Sequence, residues 1–313
     1  MDSRFGPDEP ATGDAVGRAL AVLDEERVLI NLGYRLLGSL ADAEDAVQEG
    51  YARWFALSRD QQAAIHSPGA WLNTVVTRIC LDLLGSARHR RERYVGEWLP
   101  EPVPDAAEWS GGMLPPIADP ADRITLDESV DMAFLVVLDA MTPAERVSFL
   151  LHDVFGYRFT EVAEIVGRTP AACRQLASSA RRRVRDARPT AQPAAERAAV
   201  VRKFKRAWEA KDIAALIGLL DPSAIATADG GGRVAASPVP IEGSRQIAGF
   251  LVDLARRAGE LNLLERTVNG QPGLVAIDHG VTVAVYAFDI IDDQVQRLWV
   301  MRNPEKLRIW RQY

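Results

Sequence analysis

Phe159-Thr-Glu-Val-Ala-Glu-Ile-Val-Gly167-Arg-Thr169-Pro170-Ala-Ala-Cys173-Arg174-Gln175-Leu176-Ala-Ser178-Ser179-Ala-Arg181-Arg182-Arg183-Val184-Arg185 reads as two helices joined by a tight turn. Phe159, Val162, Ala163 and Val166 recur at three- and four-residue spacing, which puts them on one face of the first helix. Gly167 suits the left-handed position past a helix end, because it has no Cβ to clash. Thr169 supplies a capping hydroxyl, and Pro170 fits the first helical position, where no N–H is needed. In the second helix Cys173, Leu176, Ala177, Ala180 and Val184 share the buried face, while Arg174, Ser178, Arg181, Arg182 and Arg185 project from the other side. A helix of about 24 Å, at about 1.5 Å per residue, is long enough to lie along a major groove. This is a helix-turn-helix pattern. The same residues also fit an ordinary helical hairpin with a solvated basic face.

Bulk composition narrows the setting. At 313 residues, with 48% hydrophobic and 26% charged residues, the chain is a globular protein with room for two or three cores. No apolar run approaches the roughly 20 residues that cross a bilayer. The N-terminus is acidic and broken by prolines, unlike a secretory signal. Cys80 and Cys173 are far apart inside helical patterns, which suits reduced thiols and a cytoplasmic protein. His66, His89, His152 and His279 lack ligand spacing, so no metal or cofactor is expected. The net charge of −6 is uneven: residues 168–188 hold seven arginines against one acid, and a second basic run occupies Arg88-His-Arg-Arg-Glu-Arg93. Two separated basic patches in an acidic chain point to two contacts with a polyanion. Solvated helix ends are the plain alternative.

In chain order, residues 1–13 form a flexible leader. A helix begins near Asp24, with Val28, Leu29, Leu32, Leu36 and Leu37 as its apolar set, and ends at Gly38. A second starts at Asp42, whose carboxylate caps it, with Val47, Gly50, Tyr51, Trp54 and Phe55 as its buried stripe. Asp42, Asp45, Gln48, Glu49 and Arg53 stay outside. A third follows Ser67-Pro68 and runs through Trp71, Val76 and Leu83 into the basic run. Residues 94–123 are a Pro/Gly-rich linker, although Trp98, Leu99 and Trp109 are costly to leave in water. Helices at 127–140 and 143–155 then form a scaffold for the opening stretch, the second announced by Thr142-Pro-Ala-Glu145.

The block Asp42-Ala-Glu-Asp-Ala-Val-Gln-Glu-Gly-Tyr-Ala-Arg-Trp-Phe55, followed by Ala70-Trp-Leu-Asn-Thr-Val-Val-Thr-Arg-Ile-Cys-Leu-Asp82, resembles region 2 of bacterial RNA polymerase sigma factors. The short two-domain, extracytoplasmic-function group is the nearest in pattern. Residues 127–185 resemble that group's region 4, the reader of the minus-thirty-five element. The resemblance implies domains at 14–93 and 124–186. It implies that Asp42, Asp45, Gln48, Glu49 and Arg53 dock on core polymerase, and that helix 68–93 meets the minus-ten element. There Trp71 and Asn73 would hold unstacked bases, and Arg78, Arg88, Arg90, Arg91 and Arg93 would contact phosphates. Trp71 fits a core position equally well. Thr169, Arg174, Gln175, Ser178, Ser179, Arg181, Arg182 and Arg185 would meet minus-thirty-five DNA.

After a linker at 187–195, helices at 196–210, 212–220 and 243–258 accompany strand-like runs at 224–228, 261–268, 273–278, 281–291 and 295–302. Helices first and mostly antiparallel strands afterwards argue an α+β domain over 196–313. Order and length resemble the SnoaL-like branch of the NTF2-like fold, a cone with an interior pocket. Asp229-Gly230-Gly231-Gly232-Arg233 and Asn303-Pro304-Glu305-Lys306-Leu307 resemble signature segments of sigma factors bearing this domain, and residues 94–104 resemble a segment of the same subgroup. Arg233 stands where lysine is usual, which keeps the charge but changes donor geometry. With Trp98, these segments are expected to make regulatory contacts between domains, within the sigma domains or with 94–120. Read alone, they are a mobile loop and a helix cap. Some relatives of this fold are enzymes using Asp and His, for which Asp278, His279 and Asp289 are available, but no spacing forces a catalytic pair.

The expected fold is therefore two all-α domains followed by an NTF2-like cone, with core RNA polymerase, promoter DNA, the chain's own C-terminal domain and an unidentified small ligand in the cone as partners. The expected function is promoter-directed initiation governed by the C-terminal domain. The arginines from 181 to 188 lie at the exit toward that domain, where they grip phosphate or answer to an inhibitor. A one-component ligand-responsive regulator and an NTF2-fold enzyme with a DNA-binding module are the alternatives.

Overall fold

The computed structural model describes residues 26–91, 94–104, 131–187, 193–257 and 261–310, with side chains up to residue 85 in the first of these spans. The leader at 1–13, the linker beyond 104 with Trp109, Val130, and most of the 187–195 tether lie outside the described residues. The chain divides into two compact units, Met1–Cys80 and Leu81–Tyr313.

In the first unit, helix α1 is described over 26–37, followed by α2 (Leu40–Phe55), α3 (Arg59–Ala64) and the start of α4 (Pro68–Arg91). Leu29, Leu32, Leu36, Val47, Leu72, Val76 and Cys80 are buried together with Ala43 and Ala46. Two sequence expectations shift by one helical face. Val28 is 48% and Phe55 74% exposed, whereas Ala43 and Ala46 are covered. The α2 cap is Ser39, whose hydroxyl accepts from the Asp42 N–H, so Asp42 sits in the first turn. Helices α2 and α4 approach closely at Gly50. A Cβ there would stand 2.6 Å from Val76 Cγ2, a stiff β-branched side chain with no exposure.

In the second unit, α5 (Met132–Asp139) starts at its Asp131 cap rather than at 127. Helix α6 (Pro143–Phe149) carries the reciprocal Thr142–Glu145 capping box and widens into a π turn at Leu150–Val154. Helices α7 (Phe159–Val166) and α8 (Pro170–Ala187) flank Gly167, whose φ of 69° closes the turn.

The remainder is an α+β cone of NTF2-like topology. Helices α9 (Ala194–Glu209), α10 (Ile213–Leu219) and α11 (Ser244–Arg257) lie against a six-stranded sheet ordered β2-β1-β6-β5-β4-β3. The strands are β1 (Leu220–Asp229), β2 (Ile241–Glu242), β3 (Asn262–Val268), β4 (Gln271–Asp278), β5 (Val281–Ile291) and β6 (Gln294–Met301). All neighbours pair antiparallel except β1 and β6, which run parallel. Alternation along β5 and β6 sends Tyr286, Phe288, Ile290 and Leu298 into the helix-covered core with Phe204, Trp208 and Leu251. It sends Val285, Ala287, Trp299 and Met301 to the opposite face, where Leu99, Met132, Leu307 and Trp310 cover them. Region 94–104 and α5 thus share a core with the sheet.

Gly50→Leu should force α2 and α4 apart at a cost of about 1–3 kcal/mol. Amide exchange in α2 and α4 of the full chain should accelerate while exchange in β4 and β5 stays unchanged. Unaltered exchange in α2 would show that the contact is not tight.

Candidate nucleic-acid interface and interdomain contacts

The outer side of α2 is acidic. Asp45, Gln48, Glu49 and Arg53 are exposed and Asp42 is half-buried. Glu49 and Arg53 pair along the helix at 2.9 Å. Partial burial, with Asp45 and Glu26 nearby, raises the Glu44 carboxyl above its usual range. Such a surface favours a basic partner. The Cys80 thiol is pushed up to about 12, by burial first and by the Asp42 charge second. On α4, Trp71 is half-buried with its ring 5.3 Å from Trp54. Asn73 donates to the Gly69 carbonyl at 3.1 Å, and Arg78 is exposed. The side chains of Arg88, Arg90, Arg91 and Arg93 lie outside the described residues.

Helix α8 sorts its polar residues into two sets. Arg174, Gln175, Ser178, Arg182 and Arg185 are exposed. Thr169 caps the helix by accepting from the Ala172 N–H at 3.2 Å. Ser179 and Arg181 bond within the domain: Ser179 donates to Glu145 at 2.9 Å, and the partly exposed Arg181 pairs with Asp153 at 2.6 Å. Arg183, one of the arginines at the exit of α8, reaches the Ala140 carbonyl at 3.2 Å and lies 3.7 Å from Glu145. Burial alone would raise the Glu145 carboxyl, but hydrogen bonds from Thr142 and Ser179 and the Arg183 charge outweigh it and hold it below the usual range.

The two signature segments meet around one carboxylate. Asp229, at the end of β1, has no solvent exposure. Its Oδ1 accepts from the Tyr94 hydroxyl at 2.6 Å and the Gly231 N–H at 2.9 Å. Its Oδ2 accepts from the Leu99 N–H at 3.0 Å and Lys306 Nζ at 2.8 Å. All four lone-pair directions are used. Lys306 also donates to the Leu99 carbonyl and lies 4.1 Å from the centre of the Trp98 ring. Asn303 donates to the Tyr94 hydroxyl at 2.9 Å, and burial, then the bond to Asp229, raise the Tyr94 pKa. The glycines are sterically required. A Cβ on Gly231 would stand 2.5 Å from the Asn303 amide, and one on Gly232 would stand 2.9 Å from Val95. Arg233 and Glu305 pair at 2.6 Å on the surface, and Leu307 is buried beside Leu99 and Trp310.

Beyond Leu99 the same segment continues along the sheet. Trp310 Nε1 donates to the Pro102 carbonyl at 2.9 Å, and the Asn269 N–H donates to Val103 at 2.8 Å. Tyr94 was not singled out by sequence reasoning; the cue was an aromatic hydroxyl at the head of a segment rich in costly apolar residues.

Inside the cone, Ala226, Ile247, Leu251, Tyr286, Leu298 and Arg302 line a cavity of about 40 Å³. That holds a water or two rather than a metabolite, for which roughly 300 Å³ is usual. His279 is 96% exposed on the β4–β5 turn, 3.6 Å from Asp278 and away from the interior. Among the described residues no three His, Cys, Asp or Glu side chains cluster as metal ligands, and no helix is long and apolar enough to cross a membrane.

The models for Sigma-70 region 2 and Sigma-70, region 4 match residues 22–90 and 131–184. ECF RNA polymerase sigma factor SigJ of Mycobacterium tuberculosis (strain ATCC 25618 / H37Rv) is 37% identical over 296 residues, covering 89% of each chain. The chain belongs to the extracytoplasmic-function sigma factors. Probable ECF RNA polymerase sigma factor SigI of the same strain is 33% identical over 282 residues, covering 89% of this chain and 91% of the relative. The crystal structure of M. tuberculosis SigJ superposes with a TM-score of 0.71 at 33% identity, covering 93% of this chain and 98% of that one. As a sigma factor the protein directs core RNA polymerase to promoters. A one-component regulator and a DNA-tethered enzyme are set aside, because neither accounts for two sigma regions in one chain.

Lys306→Met keeps much of the side-chain volume but strands the Asp229 carboxylate, at a cost of about 3–5 kcal/mol if the site stays closed. Residues 94–104 should lose amide-exchange protection in the full chain. Retained protection would mean that Leu99 and Trp310 alone hold the segment.

Proposed function

We propose that this sigma factor is governed by its own C-terminal domain, which grips residues 94–104 and α5 in the free protein and releases them on core polymerase. The observation that carries the reading is the Asp229 site. Two of its four donors, the Tyr94 hydroxyl and the Leu99 N–H, come from the segment between the two sigma regions. A domain that holds this segment constrains how the two promoter readers can be presented.

On polymerase, the acidic face of α2, with Asp42, Asp45, Gln48, Glu49 and Arg53, docks on a basic surface of the core enzyme. Helix α4 serves the minus-ten element through Trp71, Asn73, Arg78, Arg88, Arg90, Arg91 and Arg93. Trp71 must leave Trp54, or use its open face, to hold a base. Helix α8 reads the minus-thirty-five element through Arg174, Gln175 and Ser178, with Arg182 and Arg185 on phosphate. Thr169, Ser179 and Arg181 support that helix from within the domain. The C-terminal domain spans 196–313, works by contact rather than catalysis, and needs no cofactor; the exposed position of His279 favours that reading. The protein acts in the cytoplasm, with its polymerase.

If opening the grip costs free energy, a weaker grip should raise affinity for core polymerase. Asp229→Asn keeps the shape and removes the charge facing Lys306. Core binding should tighten about tenfold, equivalent to about 1.4 kcal/mol, and initiation at limiting sigma factor should rise with it. Unchanged or weaker core binding would refute the proposal.

A further inference from the structure

The π turn at Leu150–Val154 carries two successive side chains, His152 and Asp153, of which Asp153 pairs with Arg181 of α8 and His152 stacks on Phe159. The routes differ. Asp153 takes Arg181 directly, at 2.6 Å. His152 acts through a ring. Its imidazole stacks on Phe159 with centroids 3.8 Å apart and planes 28° apart. On the same Phe159 ring lies the Arg174 guanidinium, 5.4 Å from the centroid. The stack is fixed at its base, because His152 Nδ1 lies 2.8 Å from the Tyr157 carbonyl. A carbonyl oxygen brings no proton, so Nδ1 carries it and the ring orientation is set. Wider π turns are rare and concentrate at functional places.

We infer that Phe159 and His152 are positioning residues that orient Arg174 to read a guanine in the major groove of the upstream promoter element. This rests on the reading of α8 as the promoter reader and deepens it. Arg174 is exposed, five residues into the helix, where a recognition helix meets base edges. Arginine recognises guanine by two parallel hydrogen bonds to O6 and N7, which demand a defined guanidinium plane. A free arginine samples many rotamers. An aromatic face restricts that plane and leaves the N–H edge open, so less freedom is lost on binding. Arg181, seven residues on, is drawn to Asp153 instead, which leaves Arg174 the cation of that pair presented outward.

The test uses the full chain assembled with core polymerase and a promoter library randomised across the upstream element, with bound sequences counted at several salt concentrations. The native protein should show a guanine preference at one position, and Arg174→Ala should abolish it. Phe159→Leu keeps an apolar side chain but loses the ring face. It should reduce that one preference about five- to tenfold and leave the other positions and the salt slope unchanged. Phe159→Tyr should retain it. Arg174→Lys keeps the charge without the planar fork and should lose the preference with the salt slope intact, which tests the geometry even if Phe159→Leu folds poorly. A Phe159→Leu protein that weakens all positions equally, or keeps its guanine preference, overturns the positioning role. If Arg174→Ala leaves every preference in place, the reading of α8 through Arg174 fails first, and the two failures are separable.

Discussion

A buried carboxylate is tolerable only when every lone pair has a donor and the charge has a counter-ion. Asp229 meets both conditions with partners drawn from three separated parts of the chain. Gly231 belongs to its own loop, Lys306 follows β6, and Tyr94 and Leu99 lie more than a hundred residues upstream. No one segment can satisfy the site alone. The glycines let the loop backbone pack closely against Asn303 and Val95, and Asn303 ties the Tyr94 hydroxyl to the same centre. Removing the upstream segment would take away two donors and also admit water, so the charge is not left dry. A releasable grip, as proposed, requires a site of this kind.

The apolar half of the grip has a different character. The outer sheet face, with Val285, Ala287, Trp299 and Met301, needs a cover, and it gets one from Leu99, Met132, Leu307 and Trp310. Burying one side chain such as Met132 is worth about 1.5–3 kcal/mol. Helix α5 therefore has two duties. Phe134 packs on Phe149 inside the helical domain with ring centres 6.2 Å apart, while Met132, Ala133 and Val136 turn to the sheet. The C-terminal domain is thus no pendant on a tether. Its solvent-averse face is completed by the part of the chain it is proposed to regulate.

Much of this was legible in the sequence. Turn and cap residues marked the helix-turn-helix, and strand-like runs after the helices marked an α+β domain with a mostly antiparallel sheet. Asp-Gly-Gly-Gly-Arg and Asn-Pro-Glu-Lys-Leu were expected against the sigma domains or residues 94–120, and Asp229 and Asn303 do bond to Tyr94 and Leu99. What escaped notice was set by tertiary geometry. Helical periodicity gives a stripe but not which flank of it is covered, so Val28 and Phe55 were assigned to the core while Ala43 and Ala46 hold it. The bonds of Ser179 and Arg181 to Glu145 and Asp153 could not be read, because those partners are far away in sequence. The π turn leaves no mark in hydrophobic spacing at all.

The pairs made by Arg181 and Arg183 also bear on where control is proposed to act. The arginine-rich tail of α8 invites the idea that an inhibitor neutralises it. Yet Arg181 is held by Asp153, and Arg183 by Ala140 and Glu145, all within the helical domain. Arg182 and Arg185 remain exposed and suited to phosphate. The described contacts between the sheet and this domain run through α5, at the end of the domain nearest the linker in sequence. Regulation by the cone, as proposed, has no need to mask the reading helix. The contacts on which the proposal rests lie on the segment that follows the first sigma region in sequence and on α5.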